Sequence, residues 1–251
     1  MNRFELHSFF KTSSTVILPV IHVLDNEQVT RNIHIAQNNK VSGVFLINHD
    51  LSINSFLPII RHVRSVFPDL WFGVNFLAVT GKEAFPILGE LGKDGIYIDA
   101  YWADNACIDE NFNLEYQPQA EEIKKARTLS GWRGLYFGGA AFKKQREVSS
   151  DKYEKSAKIA SRWMDVVTTS GVATGEAAEK SKITEMRKGC GEYPLALASG
   201  VTPENAKTYI NDVDCFLVAT GINFTGDFYN IDPEKLQRLV IRNAMILRVL
   251  L

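Results

Sequence analysis

The sequence predicts a parallel α/β protein of the (β/α)8, or TIM-barrel, class, and three observations carry that prediction. Short apolar runs alternate with amphipathic helical patterns eight times along the chain, the rhythm of parallel strands joined by right-handed helical crossovers. The length, 251 residues, suits one such barrel. The last two apolar runs, beginning at Pro194 and Asp214, break off in the small residues Ser199-Gly200 and Thr220-Gly221. In barrels of this class the loops after strands 7 and 8 are the usual seat of a phosphate.

Taken in order, strand 1 spans 15–23, with His22 near its carboxyl end and Pro19 as an irregularity, since proline lacks a ladder donor. Helix 1 follows over 25–39, strand 2 over 43–49 and helix 2 over 53–67. Strand 3 covers 71–77, helix 3 82–91 and strand 4 95–100, the last ending at Asp99-Ala100. The stretch 101–118 is the longest connection, and long loops at a strand's carboxyl end are more often functional than incidental. Helix 4 spans 119–129, strand 5 134–141, helix 5 151–163, strand 6 165–170 and helix 6 176–188. Strand 7 then leads to Thr202-Pro203-Glu204, which reads as an N-cap, a proline at the first helical position and an acid in the first turn. An amphipathic last helix runs from Pro233 to Leu251 and carries Lys235, Arg238, Arg242 and Arg248. No linker interrupts the series, so residues 1–251 read as a single domain.

Composition narrows the partners. The formal net charge of −1 offers no electrostatic footprint for nucleic acid. No apolar run reaches 18 residues, which argues against membrane insertion, and the start of the chain lacks a signal-peptide core. Three cysteines without C-x-x-C spacing suit a reduced, cytoplasmic setting rather than disulfides or structural zinc. Outer barrel helices leave a homo-oligomer open.

Strand ends supply the candidate residues: His22, His49, Asn75, Asp99, Lys143, Ser170, Ser199 and Thr220. The anion cradle comprises Ser199, Gly200, Val201, Thr202, Thr220, Gly221 and Ile222, offering backbone N–H groups and hydroxyls. The bland alternative is that Gly200 and Gly221 only permit tight turns. Ser170, Gly171 and Thr174 form a third small-residue loop suited to a sugar or a second anionic group, or to a plain turn. Asp99, a carboxylate closing an apolar strand, is the acid–base candidate, with a loop-capping role as the alternative. Asn75, His22 and Lys143 would polarise or orient, and Lys143 could instead form a Schiff base. Tyr101, Trp102, Phe142, Phe224, Phe228 and Tyr229 could sandwich a planar ring or form an apolar lid. Neither Gly89–Gly95 nor the strand-6 loop is a Walker A sequence, and no close-spaced ligand motif makes His22 and His49 a metal pair, so no cofactor is expected.

Val167-Thr-Thr-Ser-Gly-Val-Ala-Thr-Gly-Glu176, Ala198-Ser-Gly-Val-Thr-Pro-Glu-Asn205 and the run from Thr220 through Gly226 to Glu234 resemble the BtpA family, named for a factor in photosystem I biogenesis. The resemblance spans about residues 165–240 and implies a phosphate-binding (β/α)8 barrel whose reaction is generally unassigned. The chain departs from that family after His22, where Val23-Leu-Asp25 stands in place of a Pro-Leu-Pro-Gly-like turn, and at Asn223-Phe224-Thr225, where a basic residue is common. The reading that follows is an enzyme on a phosphorylated sugar or nucleotide, acting at an N-glycosidic or phosphoribosyl bond. The alternatives are a non-catalytic anion-binding or assembly protein and an aldolase-like lyase using Lys143.

Overall fold

A computed structural model gives the fold; it describes residues 1–250, with side chains described to Asn243. Eight parallel strands close a barrel in chain order. They are β1 (Val16–His22), β2 (Val44–Ile47), β3 (Phe72–Asn75), β4 (Ala100–Ala103), β5 (Leu135–Gly139), β6 (Val166–Thr169), β7 (Leu195–Ala198) and β8 (Cys215–Val218). A short helix, α1 (Arg3–Phe9), precedes them. The outer ring is α2 (Asn26–Asn38), α3 (Ile53–Val66), α4 (Gly81–Lys93), α5 (Pro118–Ser130), α6 (Tyr153–Ala160), α7 (Lys180–Cys190) and α8 (Pro233–Leu250). Arg248 and the apolar residues around it, read above as part of an amphipathic last helix, lie outside the described side chains.

Two expectations are corrected. The seventh unit has no α-helix: Thr202 Oγ1 accepts from the N–H groups of Glu204 and Asn205, and the chain makes turns and a 3-10 helix, Ala206–Thr208. Strand 4 starts after Asp99 rather than ending there. Pro19 is harmless for a local reason. Up to Pro19 the strand is in register with β8, and its pairing with β2 begins only at Val20.

The barrel is filled along its axis by inward-facing Leu18, Val20, Phe45, Trp102, Phe137 and Leu217. Gly73 is obligatory here, because a Cβ would stand 2.2 Å from the Phe45 ring. Helix α1 belongs to this inner cluster through Leu6, which is fully buried. A second apolar layer joins the outward strand faces to the helices. Among the described residues no helix is long and apolar enough to cross a membrane.

One device recurs at the amino end of the barrel. Asp99, just before β4, accepts from Arg64 of α3 at 2.7 Å and from the Phe72 N–H of β3 at 3.1 Å. Asp165, before β6, accepts from Arg127 of α5 at 2.6 Å and the Tyr136 N–H of β5 at 2.8 Å. Asp214, before β8, accepts from Arg187 of α7 at 2.8 Å and the Leu195 N–H of β7 at 2.9 Å. Each carboxylate thus ties a helix, the strand after it and the next strand into one unit. Asp214 also receives Arg3 of α1 at 2.7 Å. Burial pushes the pKa of Asp214 up, but the bonds from His7, the Leu195 N–H and Arg3 outweigh it and hold the carboxyl below its ordinary value.

These geometries yield a stability contrast. The Asp214 side chain is 0% exposed and its Arg187 partner 11%, so Asp214→Ala strands a buried cation and should cost about 3–5 kcal/mol. Glu90→Ala, which breaks an exposed pair with Lys93, should cost less than about 1 kcal/mol. Urea denaturation of the two variants checks the difference.

Candidate functional site

Strand parity builds the mouth. Alternate residues of a strand face the axis, so the inward series Val16, Leu18 and Val20 of β1 ends in His22. By the same count β2 leads to His49, β3 to Asn75, β4 to Asp104 and β6 to Ser170. An apolar filling therefore gives way, at the carboxyl ends, to a ring of polar side chains. A cavity of about 300 Å³ lies over it. His22, His49, Trp102, Asp104, Lys143 and Lys144 bound one side; Thr174, Ser199 and Thr220 bound the other, with Phe228 above. A wider groove of about 700 Å³ lies at the opposite end, between α1 and the start of β1, away from every strand-end residue of the mouth.

Asp104 is the carboxylate of the site. Burial raises its pKa, opposed by the Asn75 amide, whose Nδ2 donates to Oδ1 at 3.0 Å, and by Lys143 and Lys144. The Lys143 amine is held below its ordinary value, mainly by burial, with Asp104 pulling the other way and Lys144 adding to the drop. Its backbone N–H donates to Ser170 Oγ at 2.8 Å. Lys182 of α7 fixes the same corner from behind, donating to Ala141 O at 2.6 Å and Ser170 O at 2.7 Å.

The loop between β8 and α8 crosses the mouth as a strap. Gln28 and Asn32 of α2 donate to the Tyr229 carbonyl at 2.7 and 2.8 Å, and Tyr229 Oη donates to Asp50 at 2.6 Å. The Phe228 ring stacks on His22 at 3.8 Å, and the Phe228 carbonyl lies 3.1 Å from His22 Nδ1. A carbonyl can only accept, so Nδ1 carries the proton and Nε2 is an acceptor. Burial first, then the neighbouring His49, pushes the His22 pKa down to about 4.

The anion side is tighter than the sequence suggests. Gly200 has φ +68°, and a Cβ there would stand 1.9 Å from Glu176 O; a Cβ on Gly221 would stand 1.9 Å from Val201 O. These glycines let the loops after β6, β7 and β8 stack backbone on backbone. Ser199 holds φ +93° without being glycine, and its buried Oγ has no hydrogen-bond partner among the described residues. Strain of this kind concentrates at functional sites.

Several expected roles are corrected by position. Asp99 stands at the amino end, paired with Arg64, on the far side of the barrel from the mouth. Tyr101 points outward and donates to Val79 O at 2.8 Å. Ser170 is fully buried, and its hydroxyl bonds Gly171 O and the Lys143 N–H. Gly171 is packed against Glu176 O. The Thr202 N–H is taken by Asn205 Oδ1 at 2.8 Å and the Ile222 N–H by Ala219 O at 2.9 Å, so neither joins the cradle. Val201 buries its side chain in the outer layer, so only its backbone N–H is left to the cradle. His22, Lys143, Trp102, Thr174, Ser199 and Thr220 do meet at one cavity, and Asn75 reaches it through Asp104. Asp104 itself escaped the sequence reading; two-residue spacing from Ala100 and Trp102 is the signal that finds it. Among the described residues no three His, Cys, Asp or Glu side chains converge to hold a metal.

No family model matches the chain, and no curated protein matches it. Among solved structures it is similar to the tryptophan synthase alpha chain from Legionella pneumophila, with 12% identity over 98% of both chains and a TM-score of 0.66. It is also similar to phosphoribosyl anthranilate isomerase from Thermus thermophilus, with 13% identity, 92% of this chain and 99% of that one covered, and a TM-score of 0.60. A further phosphoribosyl anthranilate isomerase, solved with reduced 1-(o-carboxyphenylamino)-1-deoxyribulose 5-phosphate, matches at 14% identity over 92% of this chain and 98% of that one, with a TM-score of 0.60. At these identities the likeness establishes the (β/α)8 fold.

The histidine gives a pH prediction. Between pH 6.5 and about 4 the unfolded chain protonates His22 before the folded one does, so its contribution is complete above 6.5 and falls away as pH drops. The gap corresponds to about 3 kcal/mol. His22→Asn keeps an N–H for the Phe228 carbonyl and does not titrate. Urea denaturation at pH 7 and pH 4 should show the wild type losing about 3 kcal/mol more than the variant; parallel losses would refute the assignment.

Proposed function

We propose that the mouth of the barrel binds a phosphorylated sugar and acts on it. The carrying observation is that one cavity unites acid–base side chains, His22, Asp104 and Lys143, with the small hydroxyl-bearing residues Thr174, Ser199 and Thr220 of the opposite loops. A phosphate anchored at Ser199, Gly200, Val201, Thr220 and Gly221 would hold the sugar carbons over the first group, binding energy from one end positioning the other. Two buried groups at the cavity lack partners among the described residues, Trp102 Nε1, which can only donate, and Ser199 Oγ. Sugar hydroxyls both donate and accept, so they suit both.

The same geometry favours a sugar phosphate over a nucleotide. A volume of about 300 Å³ is at the lower bound of small-molecule sites. The aromatic sandwich a base would use is otherwise engaged: Phe228 stacks on His22, Phe142 packs edge-on to Trp102 and Tyr101 faces outward. The BtpA resemblance and the isomerase solved with a ribulose 5-phosphate derivative support the reading. For chemistry at an N-glycosidic or phosphoribosyl bond, Asp104 replaces Asp99 as the acid–base group, Asn75 orients it and His22 Nε2 accepts a hydroxyl proton. A lyase using Lys143 is the second reading, favoured by the half-burial of that amine. Cys107, Cys190 and Cys215 are unpaired, which suits a reducing, cytoplasmic setting.

Thermal unfolding against inorganic phosphate, sugar phosphates, nucleotides and their unphosphorylated partners tests the proposal. A sugar phosphate at a hundred times its dissociation constant should add about 2.7 kcal/mol of stability, and Ser199→Ala with Thr220→Val should diminish the gain. Asp104→Asn should abolish turnover of the stabilising compound while leaving its stabilisation intact. Stabilisation without turnover of any compound would favour an anion-binding or assembly protein.

A further inference from the structure

The least satisfied charge at the mouth is the Lys143 amine. Arg64, Arg127, Lys182, Arg187 and Lys235 are also half-buried, and each donates to named oxygens within 2.9 Å. Lys143 Nζ has no acceptor within hydrogen-bond reach among the described residues; it lies 5.8 Å from the centre of the Phe142 ring. Its backbone, by contrast, is fixed, with the N–H on Ser170 Oγ and the Lys182 ammonium bridging Ala141 O and Ser170 O beside it. The side chain thus leaves a rigid loop and ends in the cavity that also holds Asp104. Asp104 is steadied by the Asn75 amide, itself 1% exposed. A structural lysine would be paired or solvated. A half-buried amine without an acceptor among the described residues, lining the same cavity as a half-buried carboxyl, has the surroundings of a nucleophile with its own acid.

We propose that Lys143 forms an imine with an open-chain phosphorylated aldehyde or ketone, Asp104 serving as the acid–base partner. This rests on the sugar-phosphate reading and specifies the reacting end of the ligand. Neutral Nζ attacks the carbonyl carbon, forming a C–N bond while the π pair moves to oxygen. The Asp104 carboxyl protonates that oxygen, and its carboxylate then takes a proton from the nitrogen, giving a carbinolamine. Asp104 next protonates the hydroxyl, which leaves as water as the nitrogen lone pair closes the C=N bond. The balance is one amine, one carbonyl and one carboxylic acid giving a protonated imine, one water and one carboxylate, with no oxidant or further reactant. Burial, the leading influence on both groups, favours the neutral amine and the neutral acid that the first step requires.

The test mixes the protein with glyceraldehyde 3-phosphate, dihydroxyacetone phosphate or ribose 5-phosphate, and separately with unphosphorylated glyceraldehyde and dihydroxyacetone. Sodium borohydride is then added, intact mass measured and the modified peptide mapped, with melting recorded for each compound. The expected result is one reduced adduct on Lys143 from a phosphorylated carbonyl compound, weaker labelling by its unphosphorylated partner and none in Lys143→Met. Asp104→Asn should slow adduct formation by about a hundredfold or more while the same compound raises its melting temperature as in the wild type. A phosphorylated carbonyl compound that raises the melting temperature but leaves no adduct on Lys143 would overturn the imine and spare the sugar-phosphate reading. Adducts scattered over exposed lysines would also overturn it. No melting shift from any phosphorylated compound would overturn both.

Discussion

Three buried or half-buried carboxylates, Asp99, Asp165 and Asp214, hold the amino end of this barrel, and the rest of the structure depends on them. Each accepts a backbone N–H from the start of one strand, stands at the start of the next, and takes an arginine from the helix before both. A strand's first N–H would otherwise be a buried donor needing a partner. The carboxylate fills that need and the guanidinium neutralises the carboxylate, so the cost of burying either alone is avoided. The unit is two strands and the helix leading into them, used three times round the ring.

With rigidity concentrated there, the carboxyl ends carry groups of a different kind. Ser199 sits at positive φ, the His22 ring lies beneath Phe228, and Lys143 ends in the cavity; among the described residues neither the Ser199 hydroxyl nor the Lys143 amine has a hydrogen-bond partner. The polar ring rests on a floor of Phe45, Phe137 and Trp102, packed edge to face within 6 Å. That floor fixes the depth of the cavity, and the strap from β8 to α8 limits its width. The arrangement separates the two ends: the polar cavity lies at the one where chemistry is proposed.

The fold was legible because its signal is periodic: eight apolar runs and the helical patterns between them need no knowledge of contacts. The register of β4 was less so. Gly95 to Ala100 reads as an apolar run closed by a carboxylate, whereas Asp99 opens the strand and Asp104 ends it. The difference lies in pairing with Phe72 and Arg64, which are 27 and 35 residues away and leave no local trace. What the chain does carry is a rhythm, an arginine near the ends of α3, α5 and α7 and an aspartate just before β4, β6 and β8, and this distinguishes Asp99 from Asp104. The cradle was legible as glycines and hydroxyls. That Asn205 would take the Thr202 N–H, or that the seventh unit would lack an α-helix, depends on packing that local capping preferences do not encode.

Helix α1 has a consequence for how the molecule is made. Arg3 precedes the Asp214 carboxylate it binds by 211 residues, and β1 closes the ring against β8. At ordinary rates of synthesis these partners leave the ribosome roughly ten to forty seconds apart. For that interval β1 has no β8 to pair with, and the side of Leu6 that seals the barrel has no finished floor to seal. Before β8 arrives, any sheet the nascent chain forms is open, with two unpaired edges, β1 and its newest strand, the form in which parallel sheets associate wrongly.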